Sequence, residues 1–470
     1  MSLEAAAAPP RWREVLQGSR GRLIVGLLLL ETLFALHFLT IATIMPAVLS
    51  DLGDVTLYGW AFTSASLAQL AIIPIAGTAT DRFGPRILLV AVAVAYTAGL
   101  LVAATAPSMI FVAGGRFLQG LASGGAYALS LGVVAKALPE RHRARVLALL
   151  ATTWLLPGLF GPPIGALLAD TIGWRFAFIV PLPVLVTCLI LILPAMTDIP
   201  RGEGGSIPIA RPLLLMVGAG AFFAALTDPK AFTLPLLLGG GIVAMLALRG
   251  LVPQGSFRAE RGPAAAASAA FLLSVSFSSA ESFTPLMFTD VRGRSLTEVA
   301  AVLALTPFAW AAGSWWQSRE VERHSLGWLV GVATAIVALG FAATATGLIP
   351  RVPLAVAYAG WVAAALGMGI GFPAIPLAVM GTAGTGSEAR DLSPTLLMDM
   401  LGIAVGAGLG GACVAIAVRE GWGLSVGLAG AFAVSGCAAL LLFPVAPRVP
   451  TPERTSPQPL DRGYPGPGNG

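Results

Sequence analysis

Apolar runs of about twenty residues follow one another along almost the whole chain, and short breaks between them hold most of its charge. A helix rises 1.5 Å per residue, so roughly 20 apolar residues cross the hydrocarbon of a bilayer. Runs of that kind lie at 22–44, 58–79, 86–107, 109–135, 146–169 and 174–197. Two shorter ones follow at 212–227 and 231–249, then six more near 264–289, 296–317, 326–348, 352–378, 392–418 and 423–446. This spacing predicts fourteen spans and an all-α integral membrane fold. In the middle pair the first member is the shorter, and its length also fits a helix lying in the interface. Composition leads to the same class: 56% of the 470 residues are hydrophobic, only 11% are charged, and the mean hydropathy is +0.85. A soluble domain carries about 25% charged residues. A soluble enzyme or nucleic-acid binder is excluded, because too few side chains are left to face water.

Alternating the spans with the N-terminus inside distributes the 28 lysines and arginines very unevenly. Twenty-one fall on inside segments, six (Arg175, Lys230, Arg292, Arg294, Arg351 and Arg419) fall outside, and Arg116 lies within a span. Basic residues are retained on the cytoplasmic side of membrane proteins, so both termini are expected in the cytoplasm. The net charge of +5 is then an orientation signal rather than a nucleic-acid footprint. Only Lys136 and Lys230 are lysines, an arginine bias that suggests a GC-rich bacterial genome and a bacterial cytoplasmic membrane. Three unclustered cysteines inside apolar runs (Cys188, Cys413, Cys437) argue against a disulfide framework or a metal site. The opening residues, Met1 to Glu4 and an Ala/Pro tract, do not form a cleavable signal. The expected organisation is a tail over 1–21, six helices over 22–197, a linker over 198–262 holding two additional helices, six more over 263–447, and a disordered Pro/Gly-rich tail over 448–470. No G-x-x-x-x-G-K-[ST] loop is present, so no cofactor is expected and an ion gradient is left as the source of energy.

Three segments carry motifs. Between the second and third runs stands Gly77-Thr78-Ala79-Thr80-Asp81-Arg82-Phe83-Gly84-Pro85-Arg86-Ile87-Leu88-Leu89. Glycine there lets helices approach, Asp81 can accept hydrogen bonds at a neighbouring helix end, and Arg82 and Arg86 can face headgroups or carboxylates. The fourth run contains Gly115-Arg116-Phe117-Leu118-Gln119-Gly120. An arginine at that depth is costly unless it faces a cavity or a partner, or snorkels to the outer surface. The fifth contains Pro157-Gly158-Leu159-Phe160-Gly161-Pro162-Pro163-Ile164-Gly165-Ala166, where small residues make a packing groove and prolines a kink.

These segments resemble three signatures of the major facilitator superfamily: G-x-L-A-D-R-x-G-R-K-x-x-L, R-x-x-Q-G and the antiporter motif G-x-x-x-G-P-x-x-G-G. Ala79, Thr80 and Pro85 depart from the first, and Pro157 and Ala166 replace glycines of the third. A weak echo in the second half, Gly313 to Arg323, has Arg319 and Arg323 but no matching acid. With the span count, the chain resembles the fourteen-spanner drug:proton antiporter (multidrug efflux) branch. The resemblance implies the major facilitator fold: two six-helix bundles that rock about a central cavity, plus two extra central helices. It implies a conformational-switch loop at Gly77, Asp81, Arg82, Gly84 and Arg86, and an exporter's motif at Gly158, Gly161, Pro162 and Gly165. Arg116 and Gln119 would modulate a proton-binding carboxylate.

Ionisable side chains inside apolar runs are functional candidates by default. Glu31 lies about nine residues from the inner end of the first run, ~14 Å deep. A carboxyl at that depth can take up a proton and release it on hydration, or hold a structural hydrogen bond to the fourth or fifth span. The resembled branch commonly has an aspartate nine residues before the proline that corresponds to Pro46, and here that position is His37. The proton carrier is then shifted to Glu31, or includes His37, unless His37 is simply hydrogen-bonded. Glu281 sits in Ser278-Ser279-Ala280-Glu281-Ser282-Phe283-Thr284-Pro285. Hydroxyls and a proline around one acid predict an unwound segment on the central cavity and a proton or cationic-substrate site, with a solvated outer-end acid as the alternative. Asp399 lies about seven residues into the thirteenth span, where pairing with an inside arginine is the favoured reading.

The function expected from sequence is therefore a proton-coupled antiporter exporting hydrophobic or cationic drug-like compounds by alternating access. Its expected partners are the small substrate, protons and membrane lipids, with no nucleic acid, and it is expected to be monomeric. A dedicated exporter of an endogenous metabolite or lipid fits the same residues. An integral-membrane enzyme would need clustered metal ligands or paired acids, which three scattered histidines (His37, His142, His324) do not supply. A non-transporting sensor would need a signalling domain, and none is visible.

Overall fold

The computed structural model describes residues 18–137, 146, 149–150, 153–197, 199, 207, 209–228, 233–380 and 388–451, and every regular element among them is helical. The first group comprises α1 (Gly18–Leu52), α2 (Trp60–Phe83), α3 (Pro85–Ala104), α4 (Met109–Ala137), α5 (Leu155–Thr171) and α6 (Pro181–Ala195). A hairpin of α7 (Ala210–Thr227) and α8 (Thr233–Arg249) follows. The last group comprises α9 (Pro263–Glu281), α10 (Leu296–Leu303) continued by α11 (Thr306–Glu320), α12 (Leu326–Ala345), α13 (Leu354–Met380), α14 (Glu388–Arg419) and α15 (Leu424–Leu442). Twelve helices among the described residues are long and apolar enough to cross a membrane. The chain is a multi-pass membrane protein.

The expected fourteen spans are thus matched by twelve. As described, α5 and α8 have 17 residues each, about 26 Å of helix against a hydrocarbon core of about 30 Å. Of the middle pair it is α8 whose described part falls below that length. Its partner α7, the doubtful one by sequence, reaches 18 residues.

Local chemistry sets the breaks. Gly84 ends α2 at φ 91°, a backbone state that favours glycine, and its N–H donates to the Thr80 carbonyl. Pro85 then opens α3, where its missing N–H costs nothing. Ser295 and Ser325 cap α10 and α12, their hydroxyls accepting from the backbone N–H of Glu298 and Trp328.

Within the first group α2 and α3 pack on α4, while α1 packs on α5 and α6. Within the last group α9 packs on α14 and α15, and α13 packs on α11 and α12. Lipid is as apolar as leucine, so these contacts depend on close backbone approach rather than on a hydrophobic drive. Glycines provide it. A Cβ added to Gly120 of α4 would lie 2.1 Å from the Ala65 carbonyl of α2. One added to Gly369 of α13 would lie 2.0 Å from the Trp310 carbonyl of α11.

The two groups meet at the end whose connections carry few basic residues. There Gly59 and Gly411 touch backbone to backbone, a Cβ on Gly59 falling 2.6 Å from the Gly411 Cα. The rings of Tyr58 and Phe283 stand 5.6 Å apart, and the Thr297 hydroxyl donates to Asp170 at 2.9 Å. That end is closed.

The glycine contacts make a direct prediction. Gly120→Val should destabilise the protein by about 1–3 kcal/mol through overpacking and lower its melting temperature in detergent by several degrees. Gly114→Val, on the same helix but facing open space, should leave the melt within error. Equal melts for the two variants would show that close approach at Gly120 contributes nothing.

Candidate functional site

Glu281 is the last residue of α9, and the helix is interrupted just after it. Ser282 and Phe283 form a turn, a helical turn resumes at Thr284–Leu286 with Pro285 at its start, and Met287–Val291 widens into a π-helix. Proline cannot donate a backbone hydrogen bond, and a π-turn re-aims side chains, so the hydroxyl-rich run predicted to unwind does break here. The break turns Glu281 onto a narrow cleft between the two groups. Phe38 and Ala42 of α1 and Phe62 and Ser66 of α2 form one wall; Ser278, Ser282 and Ile403 of α14 form the other. Glu281 is the one charged side chain in this lining. A lone carboxylate amid apolar and hydroxyl groups is stabilised by taking a proton or by pairing with a cation.

Two further acids are held by serines. Ser130 of α4 donates to Glu31 of α1 at 2.8 Å, the hydrogen bond to the fourth span that sequence allowed. Ser274 of α9 donates to Asp399 of α14, which is buried. The partner described for Asp399 is thus a hydroxyl rather than the expected arginine. Each pair lies within one group of helices. Tyr127, half-buried, lies on α4 one turn before Ser130. Sequence reasoning passed over Tyr127. Its signal was a polar aromatic three residues before Ser130, on the same helical face.

His37, Gln119 and Arg116 form a separate network in the interior of the first group. Gln119 Oε1 accepts from Arg116 Nη1 at 2.8 Å and lies 3.0 Å from His37 Nε2. An amide oxygen only accepts, so Nε2 carries the proton of a neutral His37. Arg116 Nε donates to the Ala61 carbonyl at 3.0 Å, and Gln119 Nε2 donates to the Gly99 carbonyl at 3.0 Å. The His37 ring stands edge-on to Tyr96 and Phe178, each 5.7 Å away, and its Nδ1 has no partner among the described residues. Arg116 does not snorkel: 3% of its surface is exposed. Glu281 lines the cleft, while His37, Gln119 and Arg116 are packed away from it, held to one another and to the Ala61 and Gly99 carbonyls inside the helix group.

Asp81 pairs with Lys136 at the end of α4, Arg82 lies 5.5 Å from the Phe83 ring, and Arg86 is exposed. Gly77 faces open space, so no close approach depends on it in this conformation. On α5, Gly161 and Gly165 pack against Leu39 and Thr40 of α1, whose Thr40 hydroxyl donates to the Gly161 carbonyl at 3.2 Å. Pro162 is buried in the same helix. Gly158 alone of the motif faces the other group, where a Cβ would lie 3.0 Å from Pro307 of α11.

The sequence model described as Major Facilitator Superfamily matches residues 27–393. The Mycobacterium tuberculosis (strain H37Rv) protein named Probable multidrug-efflux transporter Rv1634 is 27% identical over 465 residues, covering 93% of this chain and 97% of its own. Multidrug transporter protein MdtP of Bacillus subtilis is 28% identical over 217 residues, 46% of this chain and 40% of its own. Among solved structures, a bacterial homolog of the human lysosomal transporter Spinster, inward-facing and unoccupied, superposes with a TM-score of 0.67 at 16% identity, covering 92% of this chain and 98% of its own. A D-xylose-proton symporter gives 0.65 at 13% identity, covering 93% and 99%. These neighbours are all transporters.

The interior network carries its own prediction. Gln119→Ala strands the Arg116 and His37 donors in a water-free interior, at roughly 1–3 kcal/mol for each unmet group. The variant should melt well below wild type. Gln119→Glu keeps an acceptor for both donors and gives Arg116 a counter-charge, so it should melt closer to wild type. The network has no structural role if Gln119→Ala melts normally.

Proposed function

The chain belongs to the Major Facilitator Superfamily, and from that premise we propose that it is a proton-coupled antiporter exporting hydrophobic or cationic drug-like compounds. The observation that carries the reading is Glu281, a lone acid in a cleft walled by both helix groups and formed where α9 is broken. A proton and a cationic substrate compete for one carboxylate, and that competition is the simplest physical basis of antiport: each leaves when the other arrives. Glu31 and Asp399, each held by a serine, supply further proton positions, one in each helix group. In this cycle the structure corresponds to the state closed at the outside. Reopening separates Gly59 from Gly411 and carries the cleft to the outer side. Export rather than uptake is supported by the names of the Mycobacterium and Bacillus relatives and by the partial antiporter motif on α5. The membrane is the bacterial cytoplasmic one, with both termini inside, as the basic asymmetry of the loops suggests. Fourteen spans follow if α5 and α8 also cross, which local thinning of the bilayer permits.

Two measurements test this. In vesicles with an imposed pH gradient, Glu281→Gln should cut proton-driven efflux of a cationic dye on the order of tenfold at matched protein level, the size of a typical coupling energy. Glu31→Gln should reduce it less. Wild-type efflux in both variants would place the carrier elsewhere. For the topology, a reporter fused after residue 228 should be active on the outer side; a cytoplasmic signal would reduce the count to twelve.

A further inference from the structure

The hairpin α7–α8 belongs to neither six-helix group, and α7 lies against the seam where α2 meets α14. Its outer end is bonded to both. Thr227, the last residue of α7, accepts at its hydroxyl from Trp60 Nε1 of α2 at 3.2 Å. Its carbonyl accepts from Arg419 Nη1 of α14 at 3.3 Å. The Thr227 hydroxyl donates its own proton to the Phe223 carbonyl at 2.8 Å, which leaves its lone pairs free for the indole. The Thr227 carbonyl belongs to the last turn of a helix and has no partner within it, so a guanidinium there both caps α7 and meets the negative end of its dipole. One turn earlier, Phe223 fills a groove opened by Gly408 of α14, where a Cβ would lie 2.7 Å from the ring. Directly beneath, Gly59 and Gly411 make the tight backbone contact between the two groups.

We propose that α7 is a latch on the outer gate, bridging α2 and α14 through Thr227 and Phe223 and setting how long the protein stays closed to the outside. The proposal rests on the alternating-access reading above. When the outer ends part, Thr227 can follow Trp60 or Arg419 but not both. Either the Trp60 bond breaks, or the Arg419 bond breaks and Phe223 leaves the Gly408 groove on the same helix. The latch therefore resists opening without touching the cleft that holds Glu281.

The test reads the conformational populations directly, with no transport step. Spin labels are placed at Thr105→Cys and Arg351→Cys, both exposed on outer connections of opposite groups, in a background with Cys188, Cys413 and Cys437 replaced by alanine. Pulsed electron paramagnetic resonance in nanodiscs then gives the ratio of outward-open to outward-closed molecules. Thr227→Val and Arg419→Gln should each raise that ratio roughly fivefold, the effect of losing one net hydrogen bond, and the double variant should raise it further. Phe223→Leu, a milder change that keeps the helix apolar, should raise it as well and stands in should Arg419→Gln not fold. Distance distributions identical to wild type in Thr227→Val and Phe223→Leu would overturn the latch. The outcomes also separate this proposal from export itself. Normal efflux with unmoved populations defeats the latch alone. Shifted populations in a protein whose wild type moves no dye defeat the export reading and leave the latch standing.

Discussion

A bilayer offers its occupants no hydrogen-bond partner, so every backbone N–H and C=O in the hydrocarbon must be paired within the chain. The helices of this protein satisfy that condition locally. What remains is to bring them together without the hydrophobic drive that assembles a soluble core. Backbone contact at glycine does it: Gly120 on the Ala65 carbonyl, Gly369 on Trp310 and Gly59 on Gly411 each leave no room for a side chain. The same dryness makes every buried polar atom costly, and so makes each one informative.

The candidate polar groups at membrane depth range between two extremes. Arg116, Gln119 and His37 satisfy one another and nearby carbonyls in the interior of one helix group, and the geometry there is that of a structural clasp. Glu281 has a cleft in front of it and walls from both groups. Glu31 and Asp399 lie between these extremes, each tied to one serine. A charged side chain inside a membrane is thus not by itself a site. It becomes one where the surrounding helices leave its charge unmet and face a neighbour that can move.

The closed outer end and the hairpin beside it belong together. Gly59 and Gly411 permit closure because neither carries a side chain, and a contact that close is easily broken once the backbones part. A third helix bonded to both sides adds resistance at the rim, outside the path from the cleft. That arrangement gives the extra pair of helices a mechanical place in a fold whose two main halves would otherwise meet alone.

Much of this was legible in the chain itself. Membrane residence, helical class and the order of the spans follow from run length and charge, because bilayer thickness and the missing partners in hydrocarbon act on each segment separately. The loop signature at Gly77–Leu89, the turn at Gly84 and the break near Pro285 are likewise local, set by a glycine's φ and a proline's missing N–H. Tertiary structure alone decided which polar groups meet. His37 and Glu281 look alike in sequence, single ionisable residues in apolar runs, yet one is sealed against Gln119 and the other lines the cleft. The hydroxyl partner of Asp399 and the bridge at Thr227 were equally out of reach. Each depends on the rotation and depth of helices many residues apart, and a period of 3.6 residues does not specify which neighbour a face will find.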